Sequence, residues 1–435
     1  MASQFKLLKA REFLPYFITQ SLGAFNDNLF KNALLLLIAF ELARDPAQIA
    51  LYNNLAAGLF ILPFLLFSAL AGQVADKVPK PRLIRWLKFT ELVLMLLAVI
   101  ALQQNWLSGL LLILFLMGCQ SAFFGPAKFS ILPQQLPKSM LLGANALVEM
   151  GTFVAILLGT LLAAILFGLD EGLDWVSLGI VGCATVGWLA SLSIPGLAAS
   201  APSLKINFNP FASWKASASL INHSRITRLS IVAISWFWFV GASILTQIPV
   251  MSQQYIGPMP EFVSFMLAAF VTGVAIGSLV CNKLLKGEIT TRLMLPCGIA
   301  LSILLLDIAR IGASIEPLAI TEDAAWSSFQ LSAAHWHLLA DMALLAFAAG
   351  AFVVPLQACL QHHSEQHMRA RMIACNNLYN ALFMVGSALF AMLVLGFMAG
   401  SIAMLMLLLA LGNALVILWA WRQRRLLLLQ QVTLA

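Results

Sequence analysis

The chain has 435 residues, of which 61% are hydrophobic and only 10% charged, with a formal net charge of +7. Soluble globular domains carry roughly 25% charged residues, so this composition excludes that class and predicts an integral membrane protein with many spans. The basic excess sits in short loops between apolar stretches, which makes it a signal of topology and not of nucleic-acid binding.

Lys6, Lys9 and Arg11 precede the first apolar run, residues 13–40. The run is too long for a signal peptide and lacks a small-residue cleavage site, so a retained first span is expected. Inside it lies Phe25-Asn26-Asp27-Asn28-Leu29-Phe30-Lys31-Asn32. Asp27 and Lys31 are four apart and share a helix face, in the favourable acid-first order. Asn28 and Asn32 form the adjoining row. At about 1.5 Å per residue, Asp27 falls near the middle of a helix crossing a core of about 30 Å. A charge at that depth costs about 2.5–3.5 kcal/mol on insertion scales unless it faces other helices or a water-filled cavity. This polar face is therefore the expected centre of function.

Further stretches long enough to span a bilayer are residues 49–72, 83–102, 106–126, 142–169 and 175–194, then 229–251, 262–285, 293–311, 336–360, 372–397 and 402–421. The expected fold is an all-α integral membrane protein with twelve transmembrane helices in two six-helix bundles, residues 1–194 and 229–435. The intervening residues 195–228 carry Lys205, Lys215, Arg225 and Arg228 among Phe208, Phe211 and Trp214, and read as a linker with a helix on the membrane surface. All 25 Lys and Arg except Lys31, Arg44 and Arg310 fall on the side shared by both termini, which the positive-inside rule makes cytoplasmic. Opposite loops hold Asp45, Asp170, Glu171, Asp174, Glu316, Glu322 and Asp323.

The second span closes with Gly72-Gln73-Val74-Ala75-Asp76-Lys77, followed by Lys80 and Arg82. Glycine permits close helix approach, and Asp76 can meet basic groups and helix-terminal amides. The segment resembles the loop signature of the major facilitator superfamily, which implies a conformational latch at Gly72, Asp76, Lys77 and Arg82. The two halves also echo each other. Pro126 ends the fourth span and Pro355 lies at the same place in the tenth; Asn145 and Glu149 in the fifth match Asn376 and Asn380 in the eleventh, again four apart. A duplicated transporter architecture, with its site between repeats near the midplane, accounts for that shared order.

A narrower resemblance, carried by Phe25-Asn26-Asp27-Asn28, Pro126-Ala127-Lys128, Ala144-Asn145 with Leu147 and Glu149, and Phe352-Val353-Val354-Pro355-Leu356, is to the bacterial lysophospholipid transporter family. It implies movement of lysophospholipids such as lysophosphatidylethanolamine from the outer to the inner leaflet of the cytoplasmic membrane, with reacylation by a separate acyltransferase. Asp27 suits an ammonium, and Lys31 or Lys128 a phosphate. Asn28, Asn32, Asn145, Asn376, Asn380 and Gln357 suit glycerol and phosphate oxygens, with Glu149 a further intramembrane acid that serves either substrate or inner gate. Trp236 and Trp238 are candidates to line the acyl tail, although packing or lipid contact is the commoner role for such rings. Family members can carry a basic residue in the seventh span; residues 229–251 have none, so phosphate recognition leans on the first half. An ion-coupled exporter of drugs or amphiphiles is the alternative.

Several other features point away from chemistry. Glu91 has Lys88 three residues before it and is expected to snorkel beside it near the cytoplasmic surface. Asp307, Arg310 and Asp341 read as a surface or gating group. His362, His363, Glu365 and His367 read as a solvated loop and not a metal site, and the six cysteines lack CxxC spacing. Neither a P-loop nor a nucleophile–base pair is present, so no cofactor, metal or catalytic residue is expected.

Overall fold

The computed structural model describes residues 4–43, 45–256, 260–315 and 331–433. Arg44, Glu316, Glu322 and Asp323, used above to orient the chain, lie outside the described residues. Among those described, the chain is helical with no strand. The first half holds α1 (Leu14–Leu37), α2 (Pro46–Lys77), α3 (Lys80–Gln103), α4 (Leu107–Gln135), α5 (Lys138–Phe167) and α6 (Gly172–Leu192). A short helix, α7 (Pro210–Ser219), occupies the linker. Then follow α8 (Arg225–Met251), α9 (Pro260–Leu284), α10 (Met294–Gly312), α11 (Ala333–His362), α12 (Arg369–Ala391) and α13 (Ile402–Thr433).

Local chemistry sets several of these starts. Asp45 accepts a bond from the Gln48 amide at 2.9 Å and Pro46 opens α2. Asn209 does the same for Ala212 at 3.1 Å, with Pro210 opening α7. A capping oxygen satisfies an otherwise orphaned amide, and proline in the first turn has no amide to lose. Among the described residues, ten helices are long and apolar enough to cross a membrane by length and composition. Two further long helices carry charge within their length: α1, which holds Asp27 and Lys31, and α3, which holds Lys80, Arg82, Arg85, Lys88 and Glu91.

Two boundaries differ from the sequence expectation. Helix α2 continues to Lys77 and α3 begins at Lys80, so the Gly72–Asp76–Lys77 signature is helical and not a loop. Helix α4 runs through Pro126 and Pro133 to Gln135, which puts Lys128 on a helix instead of in a loop. Interior prolines cost one backbone bond each, a loss that neighbouring helices can compensate in a membrane bundle.

The described chain forms two compact units. One comprises Met1–Thr227 with Leu360–Ala381, the other Arg228–Cys359 with Leu382–Ala435. The end of α11 and the first part of α12 therefore pack within the first unit. There, α1 packs on α5 and α6, α2 on α4, and α3 on α4 and α6. Its apolar core includes Leu29, Phe30, Met95, Leu114, Met117 and Ile180. At Gly159 on α5 a side chain would collide with the Phe25 carbonyl, so α1 and α5 touch backbone to backbone beside the polar stretch. In the second unit α10 packs on α13, and Gly273 and Gly277 of α9 lie against the Ala343 and Phe347 backbone of α11 in the same manner.

Candidate functional site

The polar stretch of α1 lies within the first unit, where its side chains bond to α4 and α5. Asp27 Oδ2 accepts from the Ser121 hydroxyl at 2.9 Å, while Asp27 Oδ1 is buried without a hydrogen-bond partner. The expected Asp27–Lys31 ion pair does not form within 4.0 Å. Lys31 Nζ instead donates to Asn28 Oδ1 at 3.2 Å and stands 6.0 Å from the centre of the Phe60 ring. Residues four apart share a face, but this side chain turns toward the neighbouring amide and ring. Asn28 donates to the Ala24 carbonyl at 2.8 Å; Asn32 donates to the Asn28 carbonyl at 2.8 Å and to Thr160 of α5 at 3.1 Å. The face thus offers one open anionic acceptor and, one turn away, a cation whose hydrogen-bond partner is neutral.

That face continues into a network that sequence reasoning placed at the surface. Lys88 and Glu91 of α3 form an ion pair of 2.6 Å and are 1% and 2% exposed, so they are buried, not snorkelling. Asn26 donates to Glu91 Oε1 at 3.2 Å, and Gln120 donates to Glu91 Oε2 at 3.2 Å. Ser121 also lies 3.3 Å from Gln120 Oε1. An unbroken chain of polar contacts therefore runs from Lys88 through Glu91, Gln120 and Ser121 to Asp27. The Lys88 ammonium stands 5.0 Å from the Phe124 ring centre and packs where a side chain on Gly23 would sit. A signal was present in α3: buried Lys80, Ile84, Lys88, Glu91, Met95, Ala98 and Leu102 recur every three or four residues, while Phe89, Val93, Leu96, Leu97 and Ile100 on other faces are exposed and apolar. In a membrane, the charged stripe is the inward one.

The remaining predicted residues of this unit fall into separate groups. Lys128 Nζ donates to Thr152 at 3.0 Å, and Thr152 donates on to Gln20 at 3.0 Å. Glu149 is buried at 6% exposure, one turn from Thr152 on α5, but is not within 4.0 Å of Lys128. Asn145 and Gln361 exchange two amide bonds of 2.8 Å each, and Asn145 also donates to the Leu141 carbonyl. These contacts occupy its amide, apart from the Asp27 network. Asn376 is buried, with Oδ1 unpartnered; Asn380 follows one turn later on α12.

Asp76, fully buried, accepts from the backbone amides of Ala370 and Arg371 at 3.0 and 3.2 Å and from Arg371 Nε at 3.2 Å. It thus caps the start of α12 from another helix, a favourable place for a carboxylate. Gly72 makes the approach possible: a Cβ there would stand 2.6 Å from that of Ala374. Lys77 is half-buried, and exposed Arg82 lies 5.7 Å from the Trp86 ring centre.

Gln357, Trp236 and Trp238 belong to the second unit. Gln357 is buried on α11. Trp236 stacks on Phe239 with centroids 4.9 Å apart and donates to Asn413 at 2.9 Å, and Trp238 meets Phe237 edge-on. Packing within that unit accounts for these contacts. Among the described residues the cluster with metal-ligand geometry is Asp307, His337 and Asp341, also in the second unit.

Comparison with known proteins fits this arrangement. The chain is 29% identical over 378 residues to the lysophospholipid transporter LplT of Cronobacter sakazakii (strain ATCC BAA-894), covering 85% of each chain. It is 28% identical over 428 residues to LplT of Enterobacter sp. (strain 638), covering 93% of this chain and 94% of that relative. Among solved structures, the human organic anion transporter MFSD10 (TETRAN) superposes with a TM-score of 0.69 at 13% identity, covering 94% of this chain and 99% of that one. The transporter FucP in the outward conformation gives 0.65 at 15% identity, covering 95% and 99%. At such identities the structures speak for the fold alone. The model of the Major Facilitator Superfamily matches residues 16–388, and the chain belongs to that superfamily.

Proposed function

We propose that this multi-pass membrane protein moves lysophospholipids from the outer to the inner leaflet of a bacterial cytoplasmic membrane by alternating access. The observation that carries the reading is similarity over 85–94% of the length of proteins named lysophospholipid transporters. The half-buried polar face of α1 supports it, because intramembrane charge is costly unless it serves a partner or a pathway. A zwitterionic head matches the groups on offer. Its ammonium would meet the open Asp27 Oδ1, and its phosphate the Lys31 ammonium, with Asn28 and Asn32 beside them. Lys128 and Glu149 form a second polar position along the same unit. The acyl tail needs only apolar surface.

In this reading residues 1–194 and 229–435 are the two working halves, with both termini and the linker cytoplasmic. The Asp76 cap on α12 and the Asn145–Gln361 amide pair tie α2 and α5 to residues 360–381, which follow the linker in the chain. Rocking of the halves would break these contacts, which gives Gly72, Asp76, Asn145 and Gln361 a gating role. The product would pass to a separate acyltransferase.

Proteoliposomes holding the purified protein and labelled lysophosphatidylethanolamine test the proposal, with and without proton and sodium gradients. Protein-dependent transfer is expected, reduced at least about tenfold in Asp27→Ala and Lys31→Ala proteins that remain folded. Absence of transfer under every gradient overturns lysolipid transport; intact transfer in both variants overturns the assignment of the headgroup site. Proton-coupled efflux of drugs without lysolipid transfer would establish the exporter alternative.

A further inference from the structure

We infer that Asp307, His337 and Asp341 form a binding site for a divalent transition-metal ion of the zinc class, clamping the end of α10 to the start of α11. Asp307 lies in the next-to-last turn of α10, and His337 and Asp341 stand one turn apart near the start of α11. His337 Nε2 is 3.0 Å from Asp307 Oδ2 and 3.6 Å from Asp341 Oδ2. One ligand atom from each residue lies within 4.8 Å of the others. Zinc bonds of about 2.0–2.2 Å in a tetrahedron place ligand atoms about 3.3–3.6 Å apart. Only small movements would close the three atoms around an ion, leaving the fourth position to water.

Two further observations separate this group from a chance gathering of surface charge. Asp341 is only 4% exposed, and its Oδ2, the oxygen facing His337, is buried without a hydrogen-bond partner. A buried carboxylate oxygen left open toward an imidazole and a second carboxylate asks for a cation. Arg310 meanwhile binds Asp307 through Oδ1, at 2.7 Å, and leaves Oδ2 directed at His337. Outer partners of this kind orient metal-ligating carboxylates. The His337 side chain is 47% exposed, which gives an ion a path from solvent. One imidazole and two carboxylates suit zinc and its neighbours, whereas calcium takes six to eight oxygens.

The competing arrangement is metal-free, with Asp341 hydrogen-bonded to Asp307 and His337 beside both carboxylates. Full-length, tag-free protein in nanodiscs, stripped with EDTA, is titrated with zinc chloride by calorimetry, and bound zinc is counted by elemental analysis after desalting. One zinc per chain is expected, with affinity at least about tenfold weaker in His337→Gln and in Asp341→Asn. Cobalt substitution should give the visible absorption of a four-coordinate site, lost in the same variants. A His362→Gln/His363→Gln/His367→Gln protein should bind as the parent does. If buried Asp341→Asn fails to fold, His337→Gln at its half-exposed position decides alone. Absence of stoichiometric zinc, or undiminished binding by folded His337→Gln, overturns the site; neither readout depends on lipid transport.

Discussion

Replacing Glu91 tests whether the buried charges of α3 act as one unit. Its carboxylate takes three donors: Lys88 at 2.6 Å, Asn26 at 3.2 Å and Gln120 at 3.2 Å. Glu91→Gln retains the size and one acceptor oxygen, yet removes the charge that faces Lys88, which is 1% exposed. Breaking a buried pair from one side costs about 3–5 kcal/mol, chiefly because the remaining charge is uncompensated. Lys88→Met leaves Glu91 with its two amide donors but no cation, and should cost a similar amount. Combining the two removes both charges while the glutamine oxygen still accepts from one flanking amide, so the loss should fall to about 1–2 kcal/mol. Thermal unfolding of the purified parent, single and double variants in one detergent reads this directly. The double variant should be more stable than either single one. If its loss equals the sum of the two single losses, the pair is not coupled and the reasoning fails.

Two other substitutions probe how the first unit is held together. Gly159→Ala places a methyl group against the Phe25 carbonyl and should cost about 1–3 kcal/mol by forcing α1 and α5 apart. Gly182→Ala on α6 has open space around it and should be neutral or stabilising in the same melting assay. Asp76→Ala leaves the Ala370 and Arg371 amides without their carboxylate and should cost about 1–2 kcal/mol. Hydrogen exchange at the start of α12 should then accelerate, with Asp76→Asn intermediate between parent and alanine.

Much of this architecture was legible because bilayer thickness turns hydropathy into helix count, and all twelve expected spans have a helix in the structure. Helix ends were harder to read. Prolines at 126 and 133 mark boundaries in soluble proteins, but α4 continues through both. Asp27 was recognisable from its depth alone, whereas its partner was not. Spacing pointed to Lys31, yet Ser121 on α4 supplies the bond, and no local rule encodes a contact across 94 residues. Asn145 poses the same problem, since its partner Gln361 is 216 residues away.

The error over Lys88 and Glu91 has a specific cause. Their i,i+3 spacing is what a solvated surface pair would also show, so spacing alone does not report depth. Helix periodicity does. Lys88 and Glu91 share the buried stripe of Ile84, Met95 and Leu102, and the apolar residues lie on the exposed face. In water that pattern would be inverted; in lipid it identifies the inward side. The same reasoning applies to α1 and α3, which hold charged residues within their length. They carry the Asp27–Ser121–Gln120–Glu91–Lys88 chain together with α4. Charge inside an otherwise apolar series of spans therefore marks inward-facing contacts, because only packed neighbours or a polar pathway make such helices tolerable in a membrane.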